Sequence, residues 1–445
     1  VFLQAGTIDA TSATEEAHRQ FDPAAELAER RRAESADDER SKHDLAAAYR
    51  RLGDVGMQRG NPTSAAEWFR KSLALYDGLA AAAANDVALR RESAEVVQRS
   101  GLAAQQLGDL AATKAAYTRF FGLAAELAAG EKPSLADRRT LSVSHERLGD
   151  LSLLQDDVPT AEKHFRESLA VRKAIAAEEP DNAEARRDLS VTLDRLGDLA
   201  FKRGDDDGAA QSYAESLKLR TRLAESDPNN VQAQRDLLVS YVQLGDVEMR
   251  RGDLAAAESS YERYHAIALK LSSADPANMQ LQRDLATSFD RLGFVFAATR
   301  RTEQARDAYR RNFELVRRAA EADPSNAQTR SDLSSAAATL ADLSRQAGDS
   351  AEARSCLGEY VRYARRWADG ANDAAPRRTL VDALVRAADT EVQLGAWTAA
   401  EALLSEARDV VGGASSGENE VAAAATAAMV YGISGQLEIE RRDPR

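Results

Sequence analysis

One period governs this sequence and limits what the chain can fold into. Gly53, Gly101, Gly149, Gly197, Gly245 and Gly293 stand 48 residues apart, four of them inside Leu-Gly-Asp at 52–54, 148–150, 196–198 and 244–246. A second landmark keeps the same step: Phe69, Tyr117, Phe165, Tyr213, Tyr261, Tyr309 and then Leu357. A third is Pro180, Pro228, Pro276 and Pro324, each in a Pro-x-Asn or Pro-Asn-Asn setting. Self-similarity at such a period is the mark of a repeat array, in which each unit buries its apolar face on the next. The 445 residues therefore read as one modular array rather than as the three or so globular domains that length alone suggests.

The landmarks place eight units over 44–427: 44–91, 92–139, 140–187, 188–235, 236–283, 284–331, 332–379 and 380–427. Ala17 and Phe21 fall one period before Ala65 and Phe69, so residues 1–43 are expected to be a partial N-terminal repeat, as in a fragment or a processed product. Residues 428–445 are expected to form a C-terminal capping helix and tail.

Each unit reads as two helices. In the unit at Asp188, Leu189, Leu193, Leu196 and Leu199 recur at helical spacing. Gly204 suits a left-handed helix end, and Asp205 suits the cap of the next helix. Elsewhere that place holds Asn61-Pro62, a cap followed by the proline favoured at a first helical position. The second helix carries Ala209, Tyr213, Leu217 and Leu223, and the Asp-Pro-Asn-Asn turn stops it. Gly197 lies mid-helix, where glycine costs about 1 kcal/mol against alanine. Its recurrence predicts close approach of the paired helix. Only 10 prolines and few β-branched runs agree with an all-helical chain.

With these residues in view, the unit at Asp284 resembles a known family. Phe289-x2-Leu292-Gly293-x2-Phe296, then Ala305-x3-Tyr309, then Pro324 is similar to the tetratricopeptide repeat pattern. The unit at Asp236 matches less fully, with Glu248 in the third slot. The period departs from the family's 34 residues, and Ala341 and Asp389 replace the mid-helix glycine in the last two units. The resemblance implies an all-α fold, an α-solenoid of antiparallel helix pairs wound as a right-handed superhelix, with a concave groove that binds peptides or proteins. The longer variant resembles arrays in multidomain bacterial signalling proteins, serine/threonine kinases among them.

By that resemblance, the groove would display Arg51/Asp54, Arg147/Asp150, Arg195/Asp198, Gln243/Asp246 and Arg291, with Phe294 replacing the acid. Phe201 and Met249 share a phase near the end of the first helix. The candidate partner-binding residues are Arg195, Asp198, Phe201, Gln243, Asp246, Met249, Arg291 and Phe294. The plainer alternative is that each Arg pairs with an Asp of its own or a neighbouring helix, and that Phe201 and Met249 cover the next unit. Lys202, Arg203, Arg250, Arg251, Arg300 and Arg301 form a basic rim, either a docking place for an acidic segment or solvated surface.

Signals for chemistry are weak. Gly413-Ala414-Ser415-Ser416-Gly417 has nucleophile-elbow spacing, yet the last histidine is His265, so the order Ser, acid, His is not met. The five histidines (His18, His43, His145, His164, His265) show no zinc spacing, and no Gly-Lys-Ser/Thr phosphate loop occurs. One cysteine, Cys356, excludes a disulfide scaffold. A net charge of −13 argues against nucleic acid and anionic membrane. The most apolar run, Val421 to Leu437, is interrupted by Thr, Ser, Gly and Gln. The expectation is a non-catalytic scaffold with no cofactor and no metal, binding a protein or peptide. Its expected location is the cytoplasm, or an extracytoplasmic region of a membrane-anchored parent. Two other readings remain: the sensory or regulatory region of a larger signalling enzyme, and a self-assembling protein forming homo-oligomers through terminal repeats.

Overall fold

The computed structural model describes residues 38–83, 85–324, 326–369 and 374–412. Residues 1–37 of the expected partial repeat at 1–43, the Gly413–Gly417 loop, the Val421–Leu437 run and the capping helix at 428–445 lie outside the described residues. The described chain is helical, with no strand. It divides into two compact units, Val1–Glu225 and Ser226–Arg445.

The first unit holds α1 (Glu39–Gln58), α2 (Pro62–Ala82), α3 (Val87–Gln106), α4 (Leu110–Ala128), α5 (Leu135–Leu154), α6 (Val158–Glu178), α7 (Ala183–Lys202) and α8 (Asp206–Ser226). The second holds α9 (Val231–Arg250), α10 (Leu254–Ala274), α11 (Met279–Ala298), α12 (Thr302–Ala322), α13 (Ala327–Gln346), α14 (Ser350–Ala368), α15 (Ala374–Gln393) and α16 (Trp397–Gly412). Within each unit consecutive helices pack on one another, and the short turns within each pair make its helices antiparallel.

Polar caps set the helix starts. Asp38, Asp86, Ser134, Asn182, Asn230, Asn278 and Asn326 each accept a backbone N–H of the first turn that follows. These caps put the first helices five residues ahead of the unit marks at Asp44, Glu92 and their successors. Between the two helices of a pair the chain turns through one residue of positive φ. Gly204 (φ 78°) fills that place in one repeat, while Asp156 (φ 61°) and Arg300 (φ 59°) hold it without glycine. Asn61, Asp109, Asp157, Asp205, Asp253 and Asp349 then cap the second helix.

The two sequence landmarks explain each other. A Cβ on Gly245 would meet Cε1 of Tyr261 at 2.5 Å, and one on Gly293 would meet Tyr309 at 2.8 Å. Gly53, Gly101, Gly149 and Gly197 face Phe69, Tyr117, Phe165 and Tyr213 in the same way. The glycine thus makes room for an aromatic ring from the second helix, and all six rings are buried. Where Ala341 replaces the glycine, Leu357 replaces the ring, and both remain buried. Cys356 is buried on the same helix, and burial pushes its thiol up to about 12.

Candidate functional site

The aspartate that follows four of the landmark glycines (Asp54, Asp150, Asp198 and Asp246) is tied into this packing or to the next first helix. The Tyr213 hydroxyl donates to Asp198 and the Tyr261 hydroxyl to Asp246, both at 2.7 Å. Where the ring is phenylalanine, the acid is met by a cation from the next first helix: Arg99 pairs with Asp54 at 2.7 Å and Arg195 with Asp150 at 3.7 Å. Arg291 reaches Asp246 in the same way at 3.2 Å. The arginine–aspartate rows therefore run mainly between consecutive first helices; Arg147 to Asp150, at 3.6 Å, is the pair within one helix. Burial pushes the carboxyls of Asp54 and Asp150 up, against the pull of those arginines.

A second ladder, near the starts of the first helices, carries more pairs. His43–Glu92 (2.6 Å), Arg91–Asp137 (2.7 Å), Arg139–Asp188 (2.5 Å), Arg235–Asp284 (2.9 Å) and Arg283–Asp332 (3.3 Å) link consecutive repeats. The Arg91 hydrogen bonds hold the Asp137 carboxyl well below the usual range. In the sequence Glu92, Asp188, Asp284 and Asp332 served only as unit marks and Asp137 was not singled out, so their role went unread, although their partners recur with the same period. Half-exposed pairs of this kind contribute about 0–1 kcal/mol each and mainly keep neighbouring helices in register.

The basic rim is partly neutralised. Arg203 pairs with Glu162, and Arg301 with Glu258 at 2.6 Å. Met249 is partly buried against the cluster of Ala257, Tyr261, Leu292 and Val295, so it covers the next repeat's helix. Phe201 and Gln243 are half-buried. Phe294 differs: it is 51% exposed, the one aromatic among the large exposed hydrophobic side chains of the described residues. The candidates Arg195, Asp198 and Phe201 belong to the first unit, and Gln243, Asp246, Met249, Arg291 and Phe294 to the second.

The second unit also contains a cavity of about 650 Å³ between α11 and α13, floored by α12. Asp290, Thr287 and Arg283 line it from α11, Asn312 and Val316 from α12, and Asp332 and Ala336 from α13. Asp290 has no hydrogen-bond or ion-pair partner among the described residues. Burial pushes its carboxyl up, opposed by Arg291 and reinforced by Asp246 and Asp332. Phe294 follows Asp290 by one helical turn, on the same face of α11. The sequence landmarks touch this lining only at Asn326 and Asp332, at its edge, and none of them marks Asp290.

In two repeats of the first unit, buried ion pairs stand at the corresponding positions. Arg172 bonds Glu146 at 2.7 Å and 2.9 Å, together with Ser142, Thr192 and the Asp188 carbonyl. Arg220 pairs with Asp194 one period later. Burial pushes the Asp194 carboxyl up, and Arg220 pulls it back.

No family model matches the chain, and no curated protein matches its sequence. Solved structures do match. A signal-transduction ATPase with numerous domains and a tetratricopeptide repeat sensor, from Pyrococcus horikoshii, is similar with a TM-score of 0.51 and 12% identity, over 82% of this chain and 46% of that one. This chain thus spans about half of that protein. BtubC from P. vanneervenii is similar at 20% identity over 59% of this chain and 95% of that one, with a TM-score of 0.42. The apo form of RapI is similar at 12% identity over 73% and 99%, with a TM-score of 0.45. At such identities the likeness is one of fold, a tetratricopeptide-like array of helix pairs. No described helix is long and apolar enough to cross a membrane.

Proposed function

We propose, from a tetratricopeptide-like helical array as the starting point, that this chain is a non-catalytic scaffold that binds a polypeptide segment along its first helices. One observation carries the reading: Phe294 stands exposed on α11, where sister repeats hold the ladder acid, one turn from an open cavity. An exposed aromatic beside a concave, partly polar cavity is how a protein surface anchors a partner side chain. Arg291 flanks it, while Asp246 and Met249 precede it on α9. Arg195, Asp198 and Phe201 hold the related positions of the first unit, and Gln243 completes the set. The regular period supports a non-catalytic role, because chemistry usually sits on inserted loops and these helix pairs carry none between Asp38 and Ala368.

A second reading treats the chain as the sensing region of a larger signalling enzyme. Its support is the similarity to a protein described as carrying a tetratricopeptide repeat sensor, of which this chain spans 46%.

The test is selection of random displayed peptides on the immobilised full chain. Enriched peptides should share a motif and bind less well to Phe294→Ala. No enrichment over a helical control protein would defeat the reading.

A further inference from the structure

Repeats stacked at one period must fill the same space between successive first helices, and this chain does so in different ways. Two phases of the second helix point there. One holds Ser72, Phe120, Ser168, Ser216, Tyr264, Asn312 and Tyr360; the other holds Tyr76, Ala124, Arg172, Arg220, Ala268, Val316 and Ala364. In six of these seven repeats, a single large side chain appears in one phase or the other: Tyr76, Phe120, Arg172, Arg220, Tyr264 and Tyr360, all buried. Three of their polar ends reach an oxygen of the next first helix. The Tyr264 hydroxyl donates to the Asp284 carbonyl at 2.9 Å, as Arg172 donates to the Asp188 carbonyl two repeats earlier, and the Tyr360 hydroxyl donates to the Asp382 carboxylate at 3.0 Å.

The sixth repeat has neither filler. It carries Asn312 and Val316, and the cavity lies there. The surroundings of Arg172 recur around the cavity at a distance of three periods: Ser142 becomes Ala286, Glu146 becomes Asp290, Asp188 becomes Asp332 and Thr192 becomes Ala336, and all four line it. Asn312 is committed to the Ala286 carbonyl at 2.8 Å, and Asp332 to Arg283 and Gln328. Asp290 alone keeps the acid of the buried pair without its cation.

We infer that this cavity receives an arginine side chain of the bound polypeptide, whose guanidinium takes on Asp290 the place that Arg172 and Arg220 take on Glu146 and Asp194. The inference rests on the scaffold reading above and assigns the chemistry of one anchor. A guanidinium fits because its planar fork pairs with a carboxylate through two hydrogen bonds and keeps donors for neighbouring carbonyls, the arrangement Arg172 makes inside this chain. The partner's backbone then leaves the cavity beside Phe294. An acidic chain, at −13, also favours a basic visitor.

The experiment follows the methyl resonances of Val316 and Leu315 in the full chain during titration with N-acetylarginine amide, and separately with the neutral isostere N-acetylcitrulline amide. Saturable shifts are expected with arginine alone, weaker by about tenfold or more in Asp290→Asn. Val316→Arg should abolish them by supplying the missing side chain from within. Equal shifts with citrulline, undiminished shifts in Asp290→Asn, or none with either probe overturn the inference. Both probes act on the unaltered protein, so a variant that fails to fold leaves the test intact. Displayed peptides that depend on Phe294 yet contain no arginine would overturn this inference and leave the scaffold reading standing. Absence of any selected peptide would defeat that reading instead.

Discussion

The ring of Tyr213 lies where a Cβ on Gly197 would be, and its hydroxyl donates to the neighbouring Asp198 at 2.7 Å. Helix propensity and packing therefore make opposite forecasts for Gly197→Ala. Propensity alone would stabilise by about 1 kcal/mol. Forcing a methyl against a buried ring costs about 1–3 kcal/mol. We expect net destabilisation, read as a lower midpoint in denaturant unfolding followed by circular dichroism. A raised midpoint would refute the account of the landmark glycine.

Arg300 holds positive φ in the turn where sister repeats have glycine, and its side chain is exposed. The left-handed region costs a non-glycine residue about 1–2 kcal/mol, less the extra entropy that glycine loses on folding. Arg300→Gly should stabilise the second unit by about 0.5–1 kcal/mol. Slower amide exchange at the start of α12 would report it; faster exchange there would speak against stored strain.

His145 and His164 meet through their Nδ1 atoms at 3.1 Å, with Phe121 edge-on to His145. Burial holds both below the usual imidazole value, and each gains a further push from a neighbour, His164 on His145 and Lys163 on His164. For such bases the unfolded chain binds more protons once pH falls below about 6.5, so stability falls with pH. The slope is at most about 1.4 kcal/mol per pH unit for each site. His164→Gln should flatten the fall in unfolding midpoint between about pH 7 and pH 5.5. Parallel curves for the two proteins would show that the pair does not titrate in this way.

How much of this was legible depends on the residue. The helix pairs were, because Leu189, Leu193 and Tyr213 recur at spacings that only helices satisfy. The interlock of Gly197 with Tyr213 was half visible: both stood out as landmarks, but nothing along the chain says that one fills the absence of the other. Arg195 and Asp198 show a different limit. Their spacing suits a pair within one helix, yet Asp198 takes the Tyr213 hydroxyl while Arg195 reaches Asp150 on the preceding first helix. Spacing ranks partners within a helix and is blind to the helix alongside. Asp290 was missed for the opposite reason: its importance lies in what Asn312 and Val316 fail to supply, and an absence shows only when all repeats are compared at the same phase.

The scaffold reading is tested most directly by the affinity of a selected peptide for the intact chain and for Phe294→Ala, measured by calorimetry. An aromatic anchor of an interface typically contributes about 2 kcal/mol or more, so binding should weaken by about tenfold or more while helicity is unchanged. Equal affinity for both proteins would place the peptide elsewhere and contradict the proposed role of the first-helix face.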